Sequence, residues 1–230
     1  MTDAERHKDY PKVRILPGQH KRAQSGYPWI YSNEIDMSPE TKSLKRGEVV
    51  EFEDPSGKIL GTGFFNSHSL IAGRIVSREA QRLNLSLIRA RIERALKLRE
   101  RVFKLPYYRL VHAEADGLPG LIVDRYGEII VIEANAAGAE RMMDEVVASL
   151  QTLLQPNSIL VKGDGIARKL EGLEPNIQWI GDVPSGPIKI EEGGIQFFAE
   201  PGTGQKTGWF FDQSANRKLV GKYAKDNKVL

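Results

Sequence analysis

The sequence predicts an α+β protein: a small N-terminal β-barrel, a basic connecting helix and a mixed α/β unit. Three observations carry that reading. Short apolar runs punctuated by Gly and Pro fill residues 13–77, with little helical periodicity among them. Residues 82–105 then keep helical spacing at Ile88, Ile92, Ala95, Leu96, Arg99 and Phe103. From Tyr108 onward, strand-like runs bracket one amphipathic segment, Ala139 to Leu154, as in an α+β layer.

Each element has its own warrant. Residues 1–10 are polar and read as a loose terminus. Val13 to Leu16 is a short strand stopped by Pro17-Gly18. VVEFED and KILGTGFF flank the Pro55-Ser56-Gly57 turn as a hairpin, and SLIAGRIVS (Ser69 to Ser77) is a further strand. In the connecting helix, Glu93–Lys97 and Glu100–Lys104 are i,i+4 pairs, each contributing about 0.2–0.5 kcal/mol. Pro106 ends that helix.

Tyr108 to Glu114 follows as a strand, and LIVD-RYGE-IIVIEA as a hairpin around Tyr126-Gly127. The Ala139–Leu154 helix turns Met142, Val146, Leu150 and their neighbours Met143, Val147, Leu153 and Leu154 inward. Ser158 to Lys162 and Ile177 to Ile180 are strands around a short helix, Ile166 to Leu173. Ile188 to Glu191 and Ile195 to Ala199 form a hairpin on Gly193-Gly194. A last helix begins near Asp212, a candidate N-cap, with Ala215, Leu219 and Tyr223 on one face, and Lys228 to Leu230 looks like the start of a strand.

The formal net charge of +3 hides segregation. Lys and Arg outnumber acids six to three in residues 1–22, eight to two in 82–105 and six to two in 201–230, whereas 106–200 holds seven against fifteen. Basic blocks on a near-neutral chain suit a polyanionic partner; ordinary solvated helix faces are the alternative reading. With no cysteine there is neither a disulfide framework nor a thiolate metal site. Four scattered histidines argue against zinc, and no metal is expected. No apolar run reaches the ~18 residues of a membrane span, and a cytoplasmic location is expected. His112, Glu114 and Asp116 alternate as if on one strand face, but Asp116 opens a turn at Gly117 and no fourth ligand is indicated. Lys162-Gly-Asp-Gly165 likewise reads as a turn.

The stretch Ala199 to Arg217, AEPGTGQKTGWFFDQSANR, concentrates chemistry. Its glycines let backbone approach a ligand, Lys206 and Thr207 supply a cation and a hydroxyl, and Trp209, Phe210 and Phe211 supply flat faces. A phosphate-binding P-loop would need lysine directly after the last glycine, and Gln205 intervenes. The remaining readings are a cradle for an adenine-bearing, partly anionic molecule and a glycine-rich connection whose aromatics pack beneath it.

GQKTGWFFDQSANR resembles the GQKTG-(aromatic)-(aromatic)-x-DQR-x-NR segment of class I S-adenosylmethionine-dependent methyltransferases acting on large-subunit ribosomal RNA cytosine. YPWIYSNEI (Tyr27 to Ile35) and HAEADGLPGLIVDRYG (His112 to Gly127) resemble the same family, which carries an N-terminal PUA domain, so the resemblance runs along nearly the whole chain. Ser214 departs from it, standing where the family commonly has arginine.

The resemblance implies a PUA-like RNA-binding barrel over 1–80, a linker helix over 81–105 and a central EEHEE-type domain over 106–187. Residues 188–230 then hold a hairpin, the cofactor-side loop and the truncated start of a Rossmann-like domain. It implies S-adenosylmethionine contacts by Gln205, Lys206, Thr207, Gly208, Phe210, Asp212 and Arg217, and ribosomal RNA contacts by Lys21, Arg22, Trp29 and Arg74. For Trp29, burial in a core is the competing reading. Cytosine C5 methylation in that family uses a cysteine thiolate, and the chain has none, so no catalytic residue is expected here and the chain alone is expected to be inactive. A free-standing non-catalytic RNA-binding module is the alternative, and a homodimer stays open.

Overall fold

The computed structural model describes residues 10–224 and 227. The first 9 residues, and with them much of the first basic block, lie outside that range, as does the strand expected at 228–230.

The N-terminal part comprises β1 (Lys12–Arg14), α1 (Lys21–Gln24), β2 (Trp29–Ile30), α2 (Pro39–Ser43), β3 (Glu48–Glu53), β4 (Ile59–Phe65) and β5 (Gly73–Ser77). Its strands form a five-stranded sheet in the order β1-β3-β4-β5-β2, with β1 parallel to β3 and the other pairs antiparallel. β1 and β2 lie at opposite edges of the sheet. Val13, Ile15, Ile30, Val50, Phe52 and Phe65 close its core. The strand expected from Ser69 begins only at Gly73, because Asn66 to Leu70 is taken by a turn that docks on the second half of the molecule.

α3 (Leu85–Val102) follows, its first turn capped by the Asn84 side chain accepting from the Leu87 amide at 3.1 Å. It buries Ile88, Ile92, Ala95 and Leu96 as its spacing predicts, and Lys97 pairs with Glu93 at 2.6 Å. The helix ends before Lys104, so the second expected i,i+4 pair is not a helical one. Arg99, on the inner stripe, reaches Asp116 with both terminal nitrogens at 2.7 Å, and this pair occupies the place of one more apolar residue.

The second sheet contains β6 (Tyr107–His112), β7 (Leu121–Tyr126), β8 (Ile129–Ala134), β9 (Ser158–Gly163) and β10 (Asn176–Gly181). Their spatial order is β10-β9-β8-β7-β6, antiparallel except for β8 with β9, which need a crossover. That crossover is α4 (Ala137–Arg141) and α5 (Met143–Leu154), one predicted helix interrupted at Met142; α6 (Ile166–Leu170) joins β9 to β10. The strand expected through Glu114 stops at His112 and becomes a 3-10 turn, Ala113–Asp116. His112, Glu114 and Asp116 therefore do not share a strand face. Asp116 accepts from Arg99 and the His112 amide, and Glu114 from Trp29 and Arg74.

One face of this sheet packs on α3 and α5 through Leu110, Val123, Ile130, Ile132 and Ile159. The other holds Tyr126, Val131 and Leu160 beneath the hairpin of β11 (Ile188–Glu192) and β12 (Ile195–Ala199), whose turn residues Gly193 and Gly194 both have positive φ. The two halves of the molecule meet where α4 approaches β4: a Cβ on Gly138 would lie 2.0 Å from the Phe64 ring. α7 (Ser214–Ala224) closes the described chain and buries none of its residues. Asp212 is not its N-cap, because it sits inside a preceding 3-10 turn, Phe211–Gln213. None of the described helices is long and apolar enough to cross a membrane.

Candidate functional site

The glycine-rich loop between β12 and α7 is tied to the second sheet at three points. Lys162 is 1% exposed, and its ammonium donates to the Pro201 carbonyl at 2.9 Å and to that of Gly204. The Tyr126 hydroxyl donates to the Thr207 carbonyl at 2.8 Å. Thr207 itself is fully buried, its hydroxyl donating to Asp124 at 2.6 Å. Asp124 is also fully buried and accepts from Arg109 through Nε at 2.9 Å and Nη2 at 3.0 Å, which satisfies a carboxylate that would otherwise be costly there. Gly208, at φ +99, lets the loop fold back on itself: a Cβ there would stand 2.7 Å from the Pro201 Cα.

This anchoring sorts the seven expected cofactor residues. Gln205, Lys206, Phe210 and Asp212 are all exposed. The Lys206 ammonium lies 5.3 Å from the centroid of the Phe210 ring, which is 41% exposed. A hydrogen bond from Gln213 and the charges of Arg109 and Lys206 hold the Asp212 carboxyl below its ordinary range. Thr207, by contrast, points inward as an anchor, and Gly208 is the hinge of the fold-back. Arg217 is committed to Glu192 on the β11 hairpin, at 2.7 and 2.6 Å, stacks 4.5 Å from the Trp209 centroid and donates to the Phe210 carbonyl at 2.9 Å. That ion pair depresses the Glu192 carboxyl, the Arg217 hydrogen bond being the largest cause. Arg217 thus holds α7 against the hairpin and fixes where Phe210 stands.

On the first sheet, Lys21 is exposed at the start of α1. Arg22 lies over the rings of Tyr27 and Tyr31, at 4.2 and 5.1 Å, and pairs with Glu34 at 3.3 Å. Tyr27 meets Trp29 edge to face at 6.0 Å. Trp29 is half-buried, and its indole donates to Glu114 at 2.7 Å. Arg74 lies deeper. Its side chain is 13% exposed and bridges Glu114 at 3.3 Å and Glu171 at 3.1 Å, so it joins the two halves of the molecule instead of presenting a free cation.

Glu171 is a residue that sequence reasoning missed. It is buried and accepts from Asn66, Ser69, Arg74 and the Ala137 amide, gathering the turn after β4, β5 and α4 at one carboxylate. Lys162, Asp124 and Arg109 were missed as well. The available signal was a charge inside an otherwise apolar strand run, in step with Leu160 for Lys162 and with Tyr126 for Asp124.

Comparison with known proteins bears on these two faces. Residues 13–78 match the PUA-like domain. The chain is homologous along nearly its whole length to ribosomal RNA large subunit methyltransferase I of Pseudoalteromonas atlantica, with 34% identity over 95% of this chain and 56% of that protein. It therefore spans little more than half the length of the curated relatives it matches. Among solved structures, a putative SAM-dependent methyltransferase from Streptococcus mutans superposes with a TM-score of 0.75 at 19% identity, over 91% of this chain and 54% of that one. A putative methyltransferase complexed with SAH gives 0.76 at 19% identity, over 91% and 53%. These two show that the chain shares their fold over about half of their length.

Proposed function

We propose that this chain supplies RNA binding and one wall of the cofactor pocket in an S-adenosylmethionine-dependent methyltransferase of large-subunit ribosomal RNA, with cytosine C5 as the target and the cytoplasm as its place of work. The observation that carries the reading is the division within the glycine-rich loop. Thr207 is locked inward, and Gln205, Lys206, Phe210 and Asp212 are exposed as an amide, a cation, a flat ring and a carboxylate. This set fits the cofactor. A ring of this kind stacks on adenine, the carboxylate accepts from hydroxyl or amine hydrogens, and the amide can serve either role. S-adenosylmethionine supplies an electrophilic methyl group on a sulfonium; the residues of this chain bind and orient it. Arg217 keeps the Phe210 backbone in place by donating to its carbonyl and to the Glu192 carboxylate.

The RNA side of the proposal rests on Lys21, Arg22 and the Tyr27, Trp29 and Tyr31 rings, since aromatic faces stack on unpaired bases and cations neutralise phosphates. Arg74 acts through Trp29 and Glu114, not by touching RNA. Without a cysteine, residues 1–230 provide positioning and not the attacking thiolate.

The purified chain, mixed with S-adenosylmethionine and undermethylated large-subunit ribosomal RNA, is expected to bind the RNA with steep salt dependence and to form no 5-methylcytosine. Reversing Lys21 and Arg22 to glutamate should weaken binding about tenfold or more at low salt, as two lost phosphate contacts would. Methyl transfer by this chain alone would overturn the division of labour. Undiminished affinity in the double variant would remove this face from the RNA interface.

A further inference from the structure

The functional reading above leaves one surface unused. A groove of about 510 Å³ runs between α3 and the 3-10 turn Ala113–Asp116. Ala90 and Ala115 leave it open, Leu98 gives it an apolar patch, and Arg94, Lys97 and Arg101 line its helical wall. These three cations fall at i, i+3 and i+7, so they form one stripe spanning about 10 Å of helix. All three are exposed, and Leu98 is 52% exposed.

The acids in the groove are already matched. Asp116 is bound by both terminal nitrogens of Arg99 and by the His112 amide, and Glu93 by Lys97. What remains is the charge of Arg94 and Arg101, which makes the channel net positive. Its field is felt by Arg91, whose guanidinium is pressed downward in pKa first by burial and then by the like charge of Arg94. Arg91 itself is turned inward, donating to the Gly117 carbonyl, so it holds the turn against α3.

The 3-10 turn stands between this channel and the face already described. Its Ala115 and Asp116 line the groove, while its Glu114 accepts from the Trp29 indole beside Tyr27. The geometry points to a second RNA subsite: a single strand stacked on the Tyr27–Trp29 face crosses the Ala113–Asp116 turn and lays its phosphates along Arg94 and Arg101. Cations spaced along a groove suit a phosphate backbone, and an apolar patch such as Leu98 tolerates any base. The inference rests on the RNA-binding reading of the first sheet and extends its footprint.

The test uses the whole chain and two fluorescent uridine-rich RNA oligonucleotides, of about six and about sixteen nucleotides, bracketing the site sizes of single-strand modules. Anisotropy titrations across salt concentrations compare the wild type, Arg94→Glu/Arg101→Glu and Lys21→Glu/Arg22→Glu, with thermal melts confirming that each folds. The groove variant is expected to lose about tenfold or more in affinity for the longer RNA and to lower its salt slope by about 1.4, for two contacts on a single strand. The shorter RNA should bind it as it binds the wild type, while the Lys21/Arg22 variant weakens on both. If the groove variant binds the longer RNA with unchanged affinity and slope while the Lys21/Arg22 variant weakens, the subsite is overturned and the RNA-binding face survives. Equal weakening on both lengths also overturns the subsite. If the wild type binds neither RNA, the functional reading falls, and the subsite with it.

Discussion

At the scale of single residues, neighbours in the glycine-rich loop do opposite work. Thr207→Val removes the donor 2.6 Å from a fully buried Asp124 and is expected to cost about 1–3 kcal/mol in urea unfolding. Phe210→Ala removes a ring that is 41% exposed and loses little beyond its contact with Lys206, about 1 kcal/mol or less, so its main effect should fall on S-adenosylmethionine binding. A large stability loss at Phe210 with cofactor affinity intact would return this stretch to simple packing. Glu133, on the same sheet, makes a pH-dependent prediction. Burial raises its carboxyl above the ordinary range, with the Asp124 charge adding to the shift and Asn135, Arg109 and Lys162 opposing it. A raised folded-state pKa means that its contribution is fully present below the unfolded value near about 4.3 and is lost as pH rises through the folded value. Glu133→Gln should therefore raise Tm at neutral pH and match the wild type at about pH 4; an offset equal at both pH values would contradict this.

At the scale of elements, the loop takes its shape from a neighbouring strand. Lys162 in β9 replaces an apolar side chain with an ammonium that satisfies two loop carbonyls. Lys162→Met keeps the bulk and abandons both acceptors, each worth about 1–3 kcal/mol. Amide hydrogen exchange over residues 200–208 should accelerate well beyond that of β9 itself, and unchanged protection would show that the glycines hold the loop unaided. The strand periodicity of Ser158 to Lys162 was legible; the destination of its lysine was not. α7 shows the same division. Its helical pattern was readable, but Leu219 and Tyr223 are 50% and 76% exposed, and the helix is held from its other side by Arg217 on Glu192 and Trp209.

At the scale of the whole molecule, the two five-stranded sheets are joined by the carboxylates of Glu114 and Glu171 around Arg74, and by the glycine contact between α4 and β4. Arg74→Ala strands two acids, one of them buried, and should cost about 3–5 kcal/mol of stability. RNA affinity per folded molecule should stay within about twofold, a difference of roughly 0.4 kcal/mol. A tenfold loss of affinity without a fall in Tm would put Arg74 back at the RNA surface.

The sequence by itself determined most of the strands, the connecting helix with its buried stripe, the turns at Pro55-Ser56-Gly57 and Gly193-Gly194, and the stretch where binding chemistry gathers, but not α1, β2 or α2. These are local properties, written in periods of two or 3.6 residues and in turn-forming residues. Tertiary structure alone decided which polar residues turn inward. The partners of Arg74, Thr207 and Arg217 stand 97, 83 and 25 residues away, and no local pattern reports a partner at that distance. A cation or hydroxyl in a motif looks the same on paper whether it faces a ligand or a buried carboxylate. Only the packing of one sheet against the other, and of the loop on the second sheet, separates the two: a charge can leave water only where a compensating group has been brought to meet it.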